Sequence, residues 1–210
     1  MTMAGVGLEL VDELKRQGYD TPTASQLARM ATHGVDLEYV RDIGARGYKF
    51  RDSESLVRMR DHGVDPEFIA SLDSAGYKNL GAEDLVRLRD HGVNPEFIAS
   101  LESAGYKNLE AERLVRLRDH GVNEDYIADM KALGYAPTDP EELVESRDHG
   151  VDPSYIRSLK EAGYENLSLP ELRRARDHGV TRQFIQRMKE RWKGELSLNE
   201  VIRLRDRGLD

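Results

Sequence analysis

Arg-Asp-His-Gly-Val stands at Arg60–Val64, Arg89–Val93, Arg118–Val122, Arg147–Val151 and Arg176–Val180, each copy 29 residues after the one before. Its His-Gly pair keeps that interval at His33, His62, His91, His120, His149 and His178, and Arg207-Gly208 stands one interval further on. A second marker, Gly-Tyr, keeps the same beat at Gly18, Gly47, Gly76, Gly105, Gly134 and Gly163. A fixed period of this length is the mark of an array whose units bury their apolar stripes on one another. The chain therefore predicts an all-α solenoid of about seven 29-residue helix-turn-helix repeats, about 14 short helices in all.

One repeat, Glu83 to Leu109, shows why. A first helix (helix A) runs through Asp84–Asp90 and stops at Gly92, where glycine takes the left-handed conformation at little cost. A second helix (helix B) opens at Asn94-Pro95-Glu96, an Asx cap followed by proline where no N–H is needed. Asp65-Pro66-Glu67 and Asp152-Pro153-Ser154 repeat that opening. Val93 and Ile98 make a hydrophobic staple, echoed by Val64/Ile69, Val122/Ile127, Val151/Ile156 and Val180/Ile185. Thr23 with Gln26, Asp139 with Pro140 and Glu142, Ser168 with Glu171, and Ser197 with Glu200 start the A helices. Helices of about ten residues do not hold alone in water, so stacking is obligatory.

The period makes the chain a single repeat domain over 1–210: an N-terminal half-unit over 1–22, regular repeats over 23–180 and a divergent unit over 181–210. Gly5-Val6 falls in register with the later Gly-Val pairs, so Leu8–Gln17 reads as a helix B without its helix A. Ser146 and Ala175 replace the leucine or methionine of other repeats, which predicts slacker packing there. Trp192-Lys193 replaces Gly-Tyr in the last B helix, and Val201, Ile202 and Leu204 lack a following helix B, which predicts an adhesive apolar end.

A formal net charge of −8 disfavours a surface that tracks phosphates. With no cysteine, zinc-thiolate sites, disulfides and thiol nucleophiles are excluded. No apolar run reaches the roughly 20 residues a membrane span needs. Glu9, Asp12 and Glu13 rule out a signal peptide in Met1–Gly18, so a soluble, cytoplasmic chain is the default expectation, extracytoplasmic if excised from a membrane sensor.

The recurrent histidines invite a metal reading. Successive units stand about 8 to 10 Å apart, while a zinc–nitrogen bond is about 2 Å, so equivalent histidines do not share an ion, and no metal or cofactor is expected. His33, His62, His91, His120, His149 and His178 are instead expected to cap helix A at its C-terminus, serving free carbonyls and the dipole. The arginines interrupt an apolar face and the aspartates sit badly in a last turn. Both vanish together at Ala31 and Thr32. The expectation is a ladder between units, in which Arg60, Arg89, Arg118, Arg147, Arg176 and Arg205 bridge to Asp61, Asp90, Asp119, Asp148, Asp177 or Asp206 of a neighbour. No Ser/His/Asp set, phosphate loop or carboxylate pair stands out, so no catalysis is expected. Neighbours such as Asp90 and His91 point about 100° apart and make no dyad.

At Arg89–Ile98, followed by Ala104–Leu109, the unit resembles the short tandem helical repeats appended to bacterial sensor metallopeptidases of the β-lactam-sensor antirepressor type. The resemblance covers nearly the whole chain. It implies a soluble helical region for contacts with another protein. Peptidase activity does not carry over, because the chain has no His-Glu-x-x-His motif.

The function expected is thus a non-catalytic protein-binding or spacer module with an unidentified protein partner. The alternatives are a nucleic-acid-binding helical repeat and a self-assembling or consensus-designed array, a monomer or weak end-to-end dimer. The partner surface would lie along outward positions that differ between repeats: Arg58, Arg87, Arg116, Glu145, Arg174 and Arg203 on helix A, and Asp73, Glu102, Lys131, Lys160 and Lys189 on helix B. The second row changes from acidic to basic along the chain and would offer a partner a polar gradient.

Overall fold

A computed structural model describes the backbone of residues 3–209 and the side chains of residues 7–209. Among the described residues there are fourteen helices and no strand. B-type helices are α1 (Met3–Gln17), α3 (Leu37–Ala45), α5 (Pro66–Ser74), α7 (Pro95–Ala104), α9 (Glu124–Ala132), α11 (Pro153–Glu161) and α13 (Arg182–Trp192). The A-type helices alternate with them: α2 (Ala24–Thr32), α4 (Ser53–Asp61), α6 (Ala82–Asp90), α8 (Ala111–Asp119), α10 (Glu141–Asp148), α12 (Leu169–Asp177) and α14 (Leu198–Asp206).

The turn chemistry acts as the sequence demands. Gly63 has φ +70°, and Val64 N–H folds back to donate to the Met59 carbonyl at 2.9 Å. The Asp65 carboxylate then accepts from Phe68 N–H at 2.7 Å, with Pro66 opening α5. Val64 and Ile69 are both fully buried, as a staple requires. Full capping boxes form at Thr23/Gln26, Ser168/Glu171 and Ser197/Glu200.

Three local expectations need correction. Gly5-Val6 makes no turn: α1 already begins at Met3 and runs through it, because Gly7 occupies the place of the Asx cap that would start a new helix. Asp139 is not the N-cap of α10: Pro140 holds that place with no side-chain cap, and the Asp139 carboxylate accepts from Glu141 N–H at 3.1 Å. Val201 and Ile202 are buried and Leu204 is half-buried, so the large apolar side chain exposed in the last repeat, among the described residues, is Trp192, at 46%.

The chain divides into two compact units, one holding residues up to Ala99 with Lys107–Arg116, the other Ser100–Tyr106 with residues from Leu117 onward. In the first, like packs on like: α1 on α3, α3 on α5, α2 on α4 and α4 on α6. In the second, α9 packs on α11, α11 on α13, and α10 on α12. A helices contribute residues such as Leu56, Val57 and Met59 to the core, and B helices residues such as Phe68, Ile69 and Leu72. No described helix is long and apolar enough to cross a membrane.

Candidate functional site

The residues that recur in every repeat converge on the contacts between successive repeats. Arg60 lies over the Tyr39 ring, Arg89 over Phe68, Arg147 over Tyr126, Arg176 over Tyr155 and Arg205 over Phe184, with the guanidinium carbon 4.8 to 5.1 Å from each ring centre. Each of these arginines therefore reaches a ring 21 residues earlier. The turn glycine of the earlier repeat forms the other wall, since a Cβ on Gly34, Gly63, Gly121, Gly150 or Gly179 would come 3.3 to 3.6 Å from the arginine Nε.

The aspartates look elsewhere. His33 Nδ1 meets Asp61, His62 meets Asp90, His120 meets Asp148, His149 meets Asp177 and His178 meets Asp206, at 2.6 to 2.9 Å. An ionised carboxylate can only accept, so Nδ1 carries the proton in each pair. The expected ladder is thus corrected where its rungs are seen: Arg60, Arg89, Arg147, Arg176 and Arg205 each take a ring, Asp61, Asp90, Asp148, Asp177 and Asp206 each take a histidine, and the carboxylate that Arg89 approaches, at 3.9 Å, is Asp65 at the cap of the preceding repeat's B helix. Arg118 has its ion pair with Glu124 of its own repeat, at 2.7 Å. Adjacent helical residues point about 100° apart, so Arg and Asp face different elements of the preceding repeat.

For the histidines the expected position is observed and the group that caps is different. His33, His62, His91, His149 and His178 do occupy C-cap positions, but their backbone N–H groups cap the helix, as His62 N–H does on Arg58 O. The His33, His62, His120, His149 and His178 rings leave their own helix and join the next repeat. These pairs are 31 to 48% exposed, which limits each to about 0.2–1 kcal/mol.

The aromatic row contributes a third contact. The Tyr39, Tyr126 and Tyr155 hydroxyls donate to the carbonyls of Val64, Val151 and Val180 in the following repeat, at 2.8, 3.0 and 3.1 Å. Burial pushes the Tyr126 and Tyr155 phenols up to about 12.

Much of the outward surface proposed for a partner is also engaged. Lys131 donates to the Ser103 carbonyl, Lys160 to Leu133 O at 3.2 Å and Lys189 to Ala162 O at 2.9 Å, each the C-terminal end of the preceding B helix. Lys160 and Lys189 also lie 5.8 and 5.2 Å from the Tyr135 and Tyr164 ring centres. Asp73 instead accepts from the Tyr48 hydroxyl at 2.9 Å. On helix A, Arg58 pairs with Glu83 at 2.7 Å and Arg174 Nη1 donates to Asn199 at 2.9 Å. Glu102, Arg87 and Arg116 are exposed.

Two clusters escaped the sequence reading. Ser146 is fully buried and donates to Glu142 O at 2.7 Å, and Arg173 fills the space beside it, 3.4 Å from its hydroxyl and 3.0 Å from Glu145. The readable signal was Arg173 standing where other repeats place a core valine, one repeat after the missing leucine. In α1, Glu13 is buried and held by Arg16, Gln17 and Arg41. The Arg16 and Gln17 hydrogen bonds hold its carboxyl down to about 2. Gly44 leaves room there, because a Cβ would overlap the Gln17 carboxamide.

A recess of about 310 Å³ between α2, α4 and α6 is lined by Arg29, Glu54, Arg58, Asp61, His62 and Glu83, several of them already paired with one another. Among the described residues no group of three or more His, Asp or Glu is placed to hold a metal ion. No family model, no curated protein and no solved structure matches the chain.

Proposed function

We propose that the chain is a non-catalytic repeat module that binds or spaces other proteins. The observation that supports this most is how the recurrent polar residues are used. His, Asp, Arg and Tyr, the residue types with chemistry to offer, are directed at neighbouring repeats rather than at a common cavity. The likeness of the unit to repeats appended to sensor metallopeptidases points the same way.

What such a module offers a partner is the surface its rungs leave over. Within the first compact unit Glu38, Glu67 and Glu96 recur, exposed, at the first turn of α3, α5 and α7. They favour the local helix dipole and also present a spaced row of carboxylates. Immobilised full-length chain at 150 mM salt is expected to retain a specific protein from its source cell. Glu67→Lys/Glu96→Lys should lose that protein at unchanged melting temperature. Retention of nothing beyond a shuffled-sequence control would overturn the reading. Retention on a nucleic-acid column at 50 mM salt, lost steeply as salt rises, would replace it with the nucleic-acid alternative.

A further inference from the structure

We propose that copies of this chain associate head to tail, with α1 of one copy docking on α13 of another as the next B helix. The proposal is independent of the partner-binding reading and rests on contacts that the molecule already makes between its own B helices.

Two such contacts define a template. Glu13 of α1 pairs with Arg41 of α3 at 3.3 Å, and Asp129 of α9 pairs with Arg157 of α11 at 3.1 Å. In both, a residue at one repeat position reaches its partner 28 residues later. On α13 the earlier position is Arg187, which is exposed; on α1 the later position is Asp12, also exposed. The same rung laid between α13 and a second copy's α1 would join Arg187 to Asp12, with the charges exchanged end for end.

The second contact is the lysine that reaches back, Lys160 to the α9 end and Lys189 to the α11 end, each over a tyrosine ring. The equivalent residue of α1 is Lys15, exposed. At the α13 end the Gly-Tyr pair is replaced, and the exposed aromatic is Trp192. Leu8 and Trp192 are the large apolar side chains left exposed among the described residues, at 68% and 46%, and they sit on the two helices this docking brings together.

Charge favours the same occupant. Residues 1–150 carry 29 Asp and Glu against 18 Lys and Arg, whereas residues 151–210 carry 10 against 13. A region with excess cation therefore meets the acidic region of a second copy. An interface of this kind joins different surfaces and propagates unless it closes into a ring.

Sedimentation velocity of the full chain from 1 µM to 1 mM tests this. Mass is expected to rise with concentration beyond a dimer and to fall at 0.5 M salt. Trp192 is the single tryptophan, so its emission should shift to the blue over the same range. Arg187→Asp or Asp12→Arg alone should weaken association about tenfold or more, and the double variant in one chain should restore it. A mass of one chain throughout overturns the proposal, as does association that neither single variant weakens. A Trp192 shift on adding polyglutamate or single-stranded DNA to a chain that does not self-associate would assign the surface to that ligand class instead.

Discussion

Between α3 and α5 the Tyr48 hydroxyl donates to Asp73; between α11 and α13 the same repeat position is Lys189, which donates to Ala162 O and lies over the Tyr164 ring. The Tyr164 hydroxyl, having no carboxylate to meet, turns to the Leu196 carbonyl. One region joins its repeats with an acid that accepts, the other with a base that donates. Position and reach are kept while charge is not, because a helix C-terminus offers both carbonyls for a cation and a tyrosine hydroxyl for an anion. The change from acid to base along this row therefore describes how repeats hold each other before it describes what a partner would meet.

The sharpest break between the regions lies in the A stack. The first region places Met59 and Val86 where the second places Ser146 and Arg173, and Met59 and Val86 are only 0% and 1% exposed. Ser146→Leu alone forces leucine into space the Arg173 side chain occupies and should cost about 2–3 kcal/mol. Combined with Arg173→Val it should recover most of that loss, bringing the second region to the first region's solution. Urea midpoints of the four chains form the cycle, and a coupling under about 0.5 kcal/mol would mean the two sites do not compensate.

Glycines sharpen the comparison next. Gly150 has φ +69° and a Cβ would sit 3.3 Å from Arg176 Nε, whereas Gly76 has φ +90° with nothing within 4 Å. Gly76→Ala should cost about 1 kcal/mol, the left-handed penalty alone. Gly150→Ala should cost about 2 kcal/mol, because the guanidinium must also leave its ring. Adding Arg176→Ala should bring the further cost of the Gly150 change down to that at Gly76.

Lys160→Glu and Asp73→Lys test the interchange directly. Lys160→Glu removes a carbonyl bond and a ring contact and places an anion at a helix end, for a loss of about 1 kcal/mol. Asp73→Lys should cost under about 0.5 kcal/mol, since lysine at this position has a working geometry in α11 and α13. Equal losses in thermal melts would show the two regions not to be interchangeable.

How far the sequence could be read follows from which contacts are local. Helix limits came through because Gly63, Asp65-Pro66 and Ser168/Glu171 act on their own backbone within a few residues. The rungs did not, because a helical wheel gives a direction on one helix and says nothing of what the preceding repeat places there. Arg60 and Asp61, adjacent and opposite in charge, read as partners, yet their partners lie 21 and 28 residues earlier. A signal was present: Ala31 and Thr32 lack both hooks, and the positions they would reach hold Leu10 and Ala4 instead of an aromatic and a histidine. Each hook disappears with its own partner, a pattern that adjacent pairing does not explain. Arg173 escaped because a single arginine at a core position looks like a flaw until Ser146 is seen beneath it.

The smallest effect concerns acid and separates α1 from the later B helices. Glu13 is buried and its carboxyl sits at about 2, against an ordinary 4.5, while the next three positions at this register are Asp42, Ser71 and Ser100, and Asp129, which also meets an arginine, is half-exposed. A carboxyl whose value falls on folding adds stability above about 4.5, and that contribution is lost as pH drops toward 2. Its partners Arg16 and Arg41 are 71% and 55% exposed, so solvent screens much of the gain. Wild type should therefore lose more melting temperature between pH 5 and pH 3 than Glu13→Gln does, the two curves converging toward the acid end. Parallel curves over that range would mean the carboxylate is as well held by water in the unfolded chain as by its two arginines in α1 and α3.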